Sequence, residues 1–136
     1  MLISTLLLED IGVVSNYLSE EFHTIPYAPR LRLVSKIVYG IKQSAIRKKI
    51  TIEDKIIAFI AITGSNVISY YMAPAYRTAK YNLYLMNILL ESIPGDTATF
   101  LPATSDMCLP GVCKDGEVDL KAIRERMRKW VAVKPL

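Results

Sequence analysis

The sequence predicts an α/β domain built on a mixed sheet, in which an antiparallel meander leads into a strand–helix–strand crossover with helices on its flanks. Three observations predict it. Helical-period apolar stripes occupy residues 8–22 and 30–44. Three short runs rich in Ile, Val and Phe follow one another across tight turns between residues 47 and 72. A long apolar segment, Tyr76–Ile93, then separates the last of these from one more short run, Thr97–Leu101. A chain of 136 residues, 51% apolar and 22% charged, is long enough to bury a core without staples. That composition excludes intrinsic disorder, collagen-like and low-complexity states.

Each element has its own justification. Leu2–Leu7 is an apolar run that reads as a strand. Glu9 and Asp10 stand where a helix N-terminus favours negative charge, and Leu8, Ile11, Val14, Leu18 and Phe22 continue at helical spacing. Pro26 and Pro29 break the chain, and a second helix runs from Arg30 to about Ser44 on Leu33, Val34, Ile37, Val38 and Ile41. Arg47–Ile52 and Lys55–Thr63 read as strands around Glu53-Asp54, a two-residue turn without the glycine that favoured hairpin turns carry. Gly64-Ser65-Asn66 marks the next turn and Val67–Met72 the next strand, ended by Ala73-Pro74.

Tyr76–Ile93 is apolar nearly all round and so reads as a helix buried on more than one side. Pro94-Gly95 stops it. Thr97–Leu101 is expected parallel to Val67–Met72, through a right-handed crossover. Residues 104–116 read as irregular, without further strands. Asp119 is suited to cap a last helix from Leu120 to about Val131, bearing Leu120, Ile123, Met127, Trp130 and Val131 on one face.

Charge is distributed unevenly. Arg30, Arg32, Lys36, Lys42, Arg47, Lys48 and Lys49 lie between Phe22 and Ile52 with no acid among them. Lys121, Arg124, Arg126, Arg128 and Lys129 cluster on the last helix beside Glu125. Such surfaces suit an acidic or phosphate-bearing partner, although solvated helix faces are their commoner meaning. No aromatic residues interleave with the basic runs as a stacking platform for single-stranded nucleic acid requires, so a nucleic-acid-associated protein ranks below a protein-binding one. Ile56–Tyr76 has no charged residue, but Thr63–Asn66 and Pro74 divide it, so no membrane span is expected. Glu9 and Asp10 follow the first apolar run with no basic residue before them, which favours a cytoplasmic setting over secretion. Cys108 and Cys113, with His23 far away in sequence, do not make up the ligands of a metal site.

The order of elements, with three sequence passages, resembles the GNAT superfamily of acyl-CoA N-acyltransferases. Ile3–Ile11 looks like that family's opening strand and helix entry. Glu53-Asp54-Lys55-Ile56-Ile57-Ala58-Phe59-Ile60-Ala61-Ile62 looks like its "dgkivGfial" hairpin. Met72-Ala73-Pro74-Ala75-Tyr76-Arg77 looks like its passage out of the fourth strand. The resemblance covers about residues 1–103 of one domain, leaving 104–136 as loop plus a basic amphipathic helix. It implies acetyl-CoA as cofactor, with the pyrophosphate at the opening of the following helix, held by free N–H groups and the helix dipole. On this chain the implied residues are Met72, Arg77, Thr78, Ala79, Lys80, Tyr81 and Asn82.

Arg77 is retained, whereas Lys80 and Asn82 occupy the two glycine positions and bring side chains where the family leaves room for phosphate. The fourth strand offers Ser69, Tyr70 and Tyr71 rather than the carboxylate the family often uses as a base. No tyrosine follows Tyr84 to protonate a leaving thiolate, and Cys108 offers only its position. These departures point to a degenerate member, without cofactor, acting through a protein partner or self-association. Small phage-encoded GNAT-like proteins, some associated with virion assembly, are the implied kin. An active N-acetyltransferase with an amine acceptor is the alternative.

Overall fold

In a computed structural model of the protein, the structure describes residues 1–64, 67–93, 95, 97–100, 113, 114 and 117–133. The described strands form one seven-stranded sheet in the order β1-β2-β3-β4-β5-β7-β6. β1 (Leu2–Thr5), β2 (Ile46–Ile52), β3 (Lys55–Ile62) and β4 (Val67–Met72) pair antiparallel in succession. β5 (Thr97–Phe100) joins β4 in parallel, through Val67↔Thr99 and Ile68↔Phe100. The mixed sheet, with its meander and strand–helix–strand crossover, is therefore present as expected. β6 (Cys113–Lys114) and β7 (Glu117–Asp119) form a short hairpin, and β7 pairs antiparallel with β5. β6 corrects the expectation that residues 104–116 hold no strand, and β7 adds another directly after them. At two and three residues they are too short for an alternating pattern to show, and what holds them is pairing, β7 on β5 and β6 on β7. Residues 101–112, with Cys108, lie outside the described residues.

The helices explain themselves locally. β1 ends at Thr5, earlier than the apolar run suggests, because Leu6 turns fully into the core. A 3-10 turn, Leu8–Asp10, then leads into α1 (Ile11–Glu21). Asp10 Oδ2 accepts the Leu7 N–H at 2.8 Å and Lys49 Nζ at 2.7 Å, which fixes the helix entry against β2. α2 spans Tyr27–Gln43, three residues earlier than expected. Pro29 does not delay it. Proline in the first turn forfeits an N–H that has no intrahelical acceptor, and the Arg30 N–H already reaches the Pro26 carbonyl at 2.9 Å.

α3 covers Ala79–Ser92 after a 3-10 turn at Pro74–Tyr76, so the helix opens later than Tyr76. Leu85, Met86 and Leu89 are fully buried on it, while Asn87 and Glu91 hydrogen-bond on its exposed strip. α4 covers Leu120–Val133, capped by Asp119 Oδ1 accepting the Ala122 N–H at 3.0 Å. Leu120 and Ile123 are buried beneath it; the side chains of Met127, Trp130 and Val131 lie outside the description.

The Glu53-Asp54 turn adopts φ 52° and 64°, the positive pair that a type I′ hairpin turn demands. β3 is the centre of the core: all residues from Ile56 to Ile62 are buried, so both faces of the sheet are covered there. One face carries a stack of aromatic rings, with Phe59 on Tyr71 at 5.6 Å and Tyr71 on Tyr17 of α1 at 5.4 Å. The Tyr17 hydroxyl donates to the Ile56 carbonyl at 2.8 Å, holding α1 on the sheet. Among the described residues, no helix is long and apolar enough to cross a membrane.

Candidate functional site

The residues singled out by sequence converge where β4 leaves the sheet and α3 begins. Met72, the last residue of β4, is fully buried. The Ala73 N–H then bonds the Ile57 carbonyl at 2.8 Å, the last tie to β3. The 3-10 turn closes through Tyr76 N–H to Ala73 carbonyl and Arg77 N–H to Pro74 carbonyl, at 2.8 and 3.3 Å. Thr78 follows in extended conformation as N-cap of α3, and no side-chain hydrogen bond caps the helix. Ala79, Lys80, Tyr81 and Asn82 form its first turn, where N–H groups lack intrahelical acceptors and the dipole is positive. The side chains of Ala79, Lys80 and Asn82 lie outside the description. Tyr81 meets the ring of Tyr76 edge-on at 5.2 Å.

Arg77 is tied to β4 and α1. Its Nε donates to the Met72 carbonyl at 2.8 Å, and its NH2 reaches Glu21 Oε2 at 2.6 Å. The guanidinium lies over the Tyr71 ring, 5.7 Å from its centre. One side chain thus ties the end of α1, the end of β4 and the aromatic stack together. A pyrophosphate at the start of α3 would have to compete with Glu21 for this cation. Sequence reasoning identified Arg77 but not its partner: Glu21 stands 56 positions earlier, and no local spacing pairs them.

β4 carries the other polar groups near the opening. Ser69 and Tyr70 are buried, and burial pushes the Tyr70 phenol far above the ordinary tyrosine range, with the Arg77 charge acting the other way. Burial likewise raises Tyr71, helped by Glu21 and opposed by Arg77. Neutral phenols in such surroundings do not serve as proton acceptors near neutral pH. Among the described residues, β5 pairs with β4 at Val67 and Ile68.

The two basic clusters fare differently. Arg124 of α4 is drawn to the end of α3, where its NH2 donates to the Gly95 carbonyl at 2.9 Å and the Ile93 carbonyl at 3.5 Å. Lys49 is taken by Asp10. Arg32, Lys36 and Lys42 remain exposed on α2, and Tyr39 stands among them, 66% exposed. One exposed ring is not the succession of aromatics that a stacking platform requires. Helical periodicity brings Tyr39 onto the same side as Arg32 and Lys36, although its neighbours in sequence are apolar.

A scan against protein-family models finds no match, and a search of curated proteins finds none either. Solved structures do resemble the chain. One is smu.2055 from Streptococcus mutans UA159, 16% identical, aligned over 88% of this chain and 99% of that one with a TM-score of 0.54. Another is a possible acetyltransferase from Clostridium difficile 630, 19% identical over 70% of this chain and 72% of its own, with a TM-score of 0.48. At such identities the likeness is one of fold, and smu.2055 shares that fold over nearly its whole length.

Proposed function

We propose that this protein keeps the acyltransferase-like fold for its surface and works through contacts with another protein, not by transferring an acyl group. The observation that carries the reading is Arg77. The one residue retained from the family's phosphate-binding passage is spent on Glu21, the Met72 carbonyl and the Tyr71 ring. The residue types of β4, which include no carboxylate, agree with it. Assembly of a phage particle, in the host cytoplasm or the virion, is the setting that the sequence resemblance suggests for such contacts.

A second reading has its own support: α3 opens without a side-chain cap, leaving the N–H groups of its first turn open to an anion. In that reading the chain is an N-acetyltransferase. Met72, Arg77, Thr78, Ala79, Lys80, Tyr81 and Asn82 surround the pyrophosphate of acetyl-CoA, and the amine acceptor enters along β4.

Calorimetric titration of the purified protein with acetyl-CoA, at low and moderate salt, separates the two. The contact reading expects no binding at millimolar ligand. Micromolar binding that survives moderate salt would overturn it, and an amine-acceptor screen would follow.

A further inference from the structure

We propose that β1 is an interface between two copies of this chain, which pair antiparallel along that strand and join their sheets across a two-fold axis. The inference stands apart from the question of acyl transfer. β1 is the first strand in the sheet order, and among the described residues it pairs with β2 alone. Strands in that position are commonly guarded by a charge, a proline or a bulge. Residues 1–8, Met-Leu-Ile-Ser-Thr-Leu-Leu-Leu, hold no charged side chain, proline or glycine, and the register of β1 on β2 runs without a shift. Met1, Leu2 and Ile3 are 59%, 62% and 42% exposed, and Leu7 and Leu8, just past the strand, are 44% and 64% exposed.

The ladder shows which main-chain groups face outwards. The Leu6 N–H donates to the Arg47 carbonyl at 3.2 Å, and the Leu2 carbonyl accepts the Thr51 hydroxyl at 3.5 Å. Leu2, Ser4 and Leu6 therefore turn their main chain towards β2. By the alternation of an antiparallel ladder, Ile3 and Thr5 turn theirs away from it. With Ile3 on the axis, it exchanges both bonds with Ile3 of the second copy, and Thr5 meets Met1 of that copy. About four main-chain hydrogen bonds join the two sheets in this way. The side chains of Ile3 then stand against each other on one face, and Leu2 stands against Ser4 on the other.

A second copy fits this edge better than a foreign strand. The charges near it are of both signs: Lys48 opposite Thr5 and half-buried, Lys49 opposite Ser4 and held by Asp10, and exposed Glu9 after Leu8. No single-sign field is present to select a foreign partner or to repel the copy. Lys48 and its copy stand three strand spacings apart, about 14 Å, beyond the screening length at physiological salt. The exposed area of Met1, Leu2, Ile3, Leu7 and Leu8 comes to roughly 500 Å² on each copy, so a pair buries up to about 1,000 Å², the lower end of specific interfaces. Pairing occupies β1 of both copies, so the assembly closes at two.

The test is sedimentation velocity on the full chain from about 1 to 200 μM, at low and moderate salt. A monomer–dimer equilibrium with Kd in the micromolar range is expected, changed less than about threefold by salt. Thr5→Pro, which removes an outward N–H, is expected to raise Kd about tenfold or more. Ile3→Lys and Ile3→Glu are each expected to do the same, and an equimolar mixture of the two to recover the dimer, because opposite charges then meet across the axis. Mixing does not repair a folding defect, and circular dichroism checks each variant. A chain that stays monomeric at about 200 μM, growth beyond the dimer, indifference to the substitutions, or a mixture that stays monomeric would each overturn the proposal. Acetyl-CoA binding, measured by calorimetry, bears on the functional reading alone and leaves this result untouched.

Discussion

Replacing Glu53-Asp54 with Asn-Gly should make this protein more stable. Both residues sit at positive φ, 52° and 64°, where an ordinary L-residue pays about 1–2 kcal/mol. Both side chains are exposed, so neither contributes packing that a substitution would forfeit. Asparagine tolerates the left-handed region, and Glu53→Asn is expected to recover about 0.5–1 kcal/mol. Asp54→Gly removes the remaining strain but loosens the unfolded chain by roughly 0.5–1 kcal/mol, leaving a smaller gain. Together the pair should add about 1 kcal/mol, or about 3–5 °C in Tm for a chain of this size. Urea denaturation followed by circular dichroism measures it as a rise in midpoint with an unchanged slope. Asp54→Ala is the control. It keeps the strain, loses the local tolerance of aspartate, and should destabilise. A neutral Asn-Gly variant beside a neutral Asp54→Ala would refute the argument, since it would mean that the turn stores no strain.

Three further outcomes follow from the geometry. Arg77→Met should lower stability by about 1–2 kcal/mol through loss of the hydrogen bond to Met72 and the contact with Tyr71. Glu21→Gln should cost less, because the ion pair is partly exposed and solvent-screened; denaturant midpoints of the two variants order the contributions. At alkaline pH the protein should weaken. The folded-state value of Tyr70 is raised above the unfolded value of 10.0, so its contribution is complete below that pH and is lost as pH climbs towards the folded-state value. Tyr70→Phe should flatten the alkaline limb of a stability–pH profile. Asp119→Ala should cost about 1 kcal/mol by freeing the Ala122 N–H, and thermal melts would show a drop of a few degrees.

The parts of this fold that were legible in sequence are those whose physics is local. The Glu53-Asp54 turn, the Asp119 cap, the apolar runs of β3 and β4 and the near-continuous apolar surface of α3 each follow from adjacent residues. β6 and β7 were not legible, because two- and three-residue strands carry no alternating pattern and are held by pairing, β7 on β5 and β6 on β7. The start of α2 was misplaced by treating Pro29 as a breaker rather than a first-turn residue. At the candidate site, Arg77 was legible as a motif position, but its bond to Glu21 is a product of tertiary placement. The exposure of Tyr39 was legible too, since it falls off the stripe of Val34, Ile37 and Ile41.

The placement of β3 has a consequence for cooperativity. It shares seven register pairs with β2 and five with β4, and it is buried from Ile56 to Ile62. Its amide hydrogens should therefore report the global free energy of unfolding, while in the monomer those of β1, at the edge of the described sheet and largely exposed, exchange through a cheaper, local route.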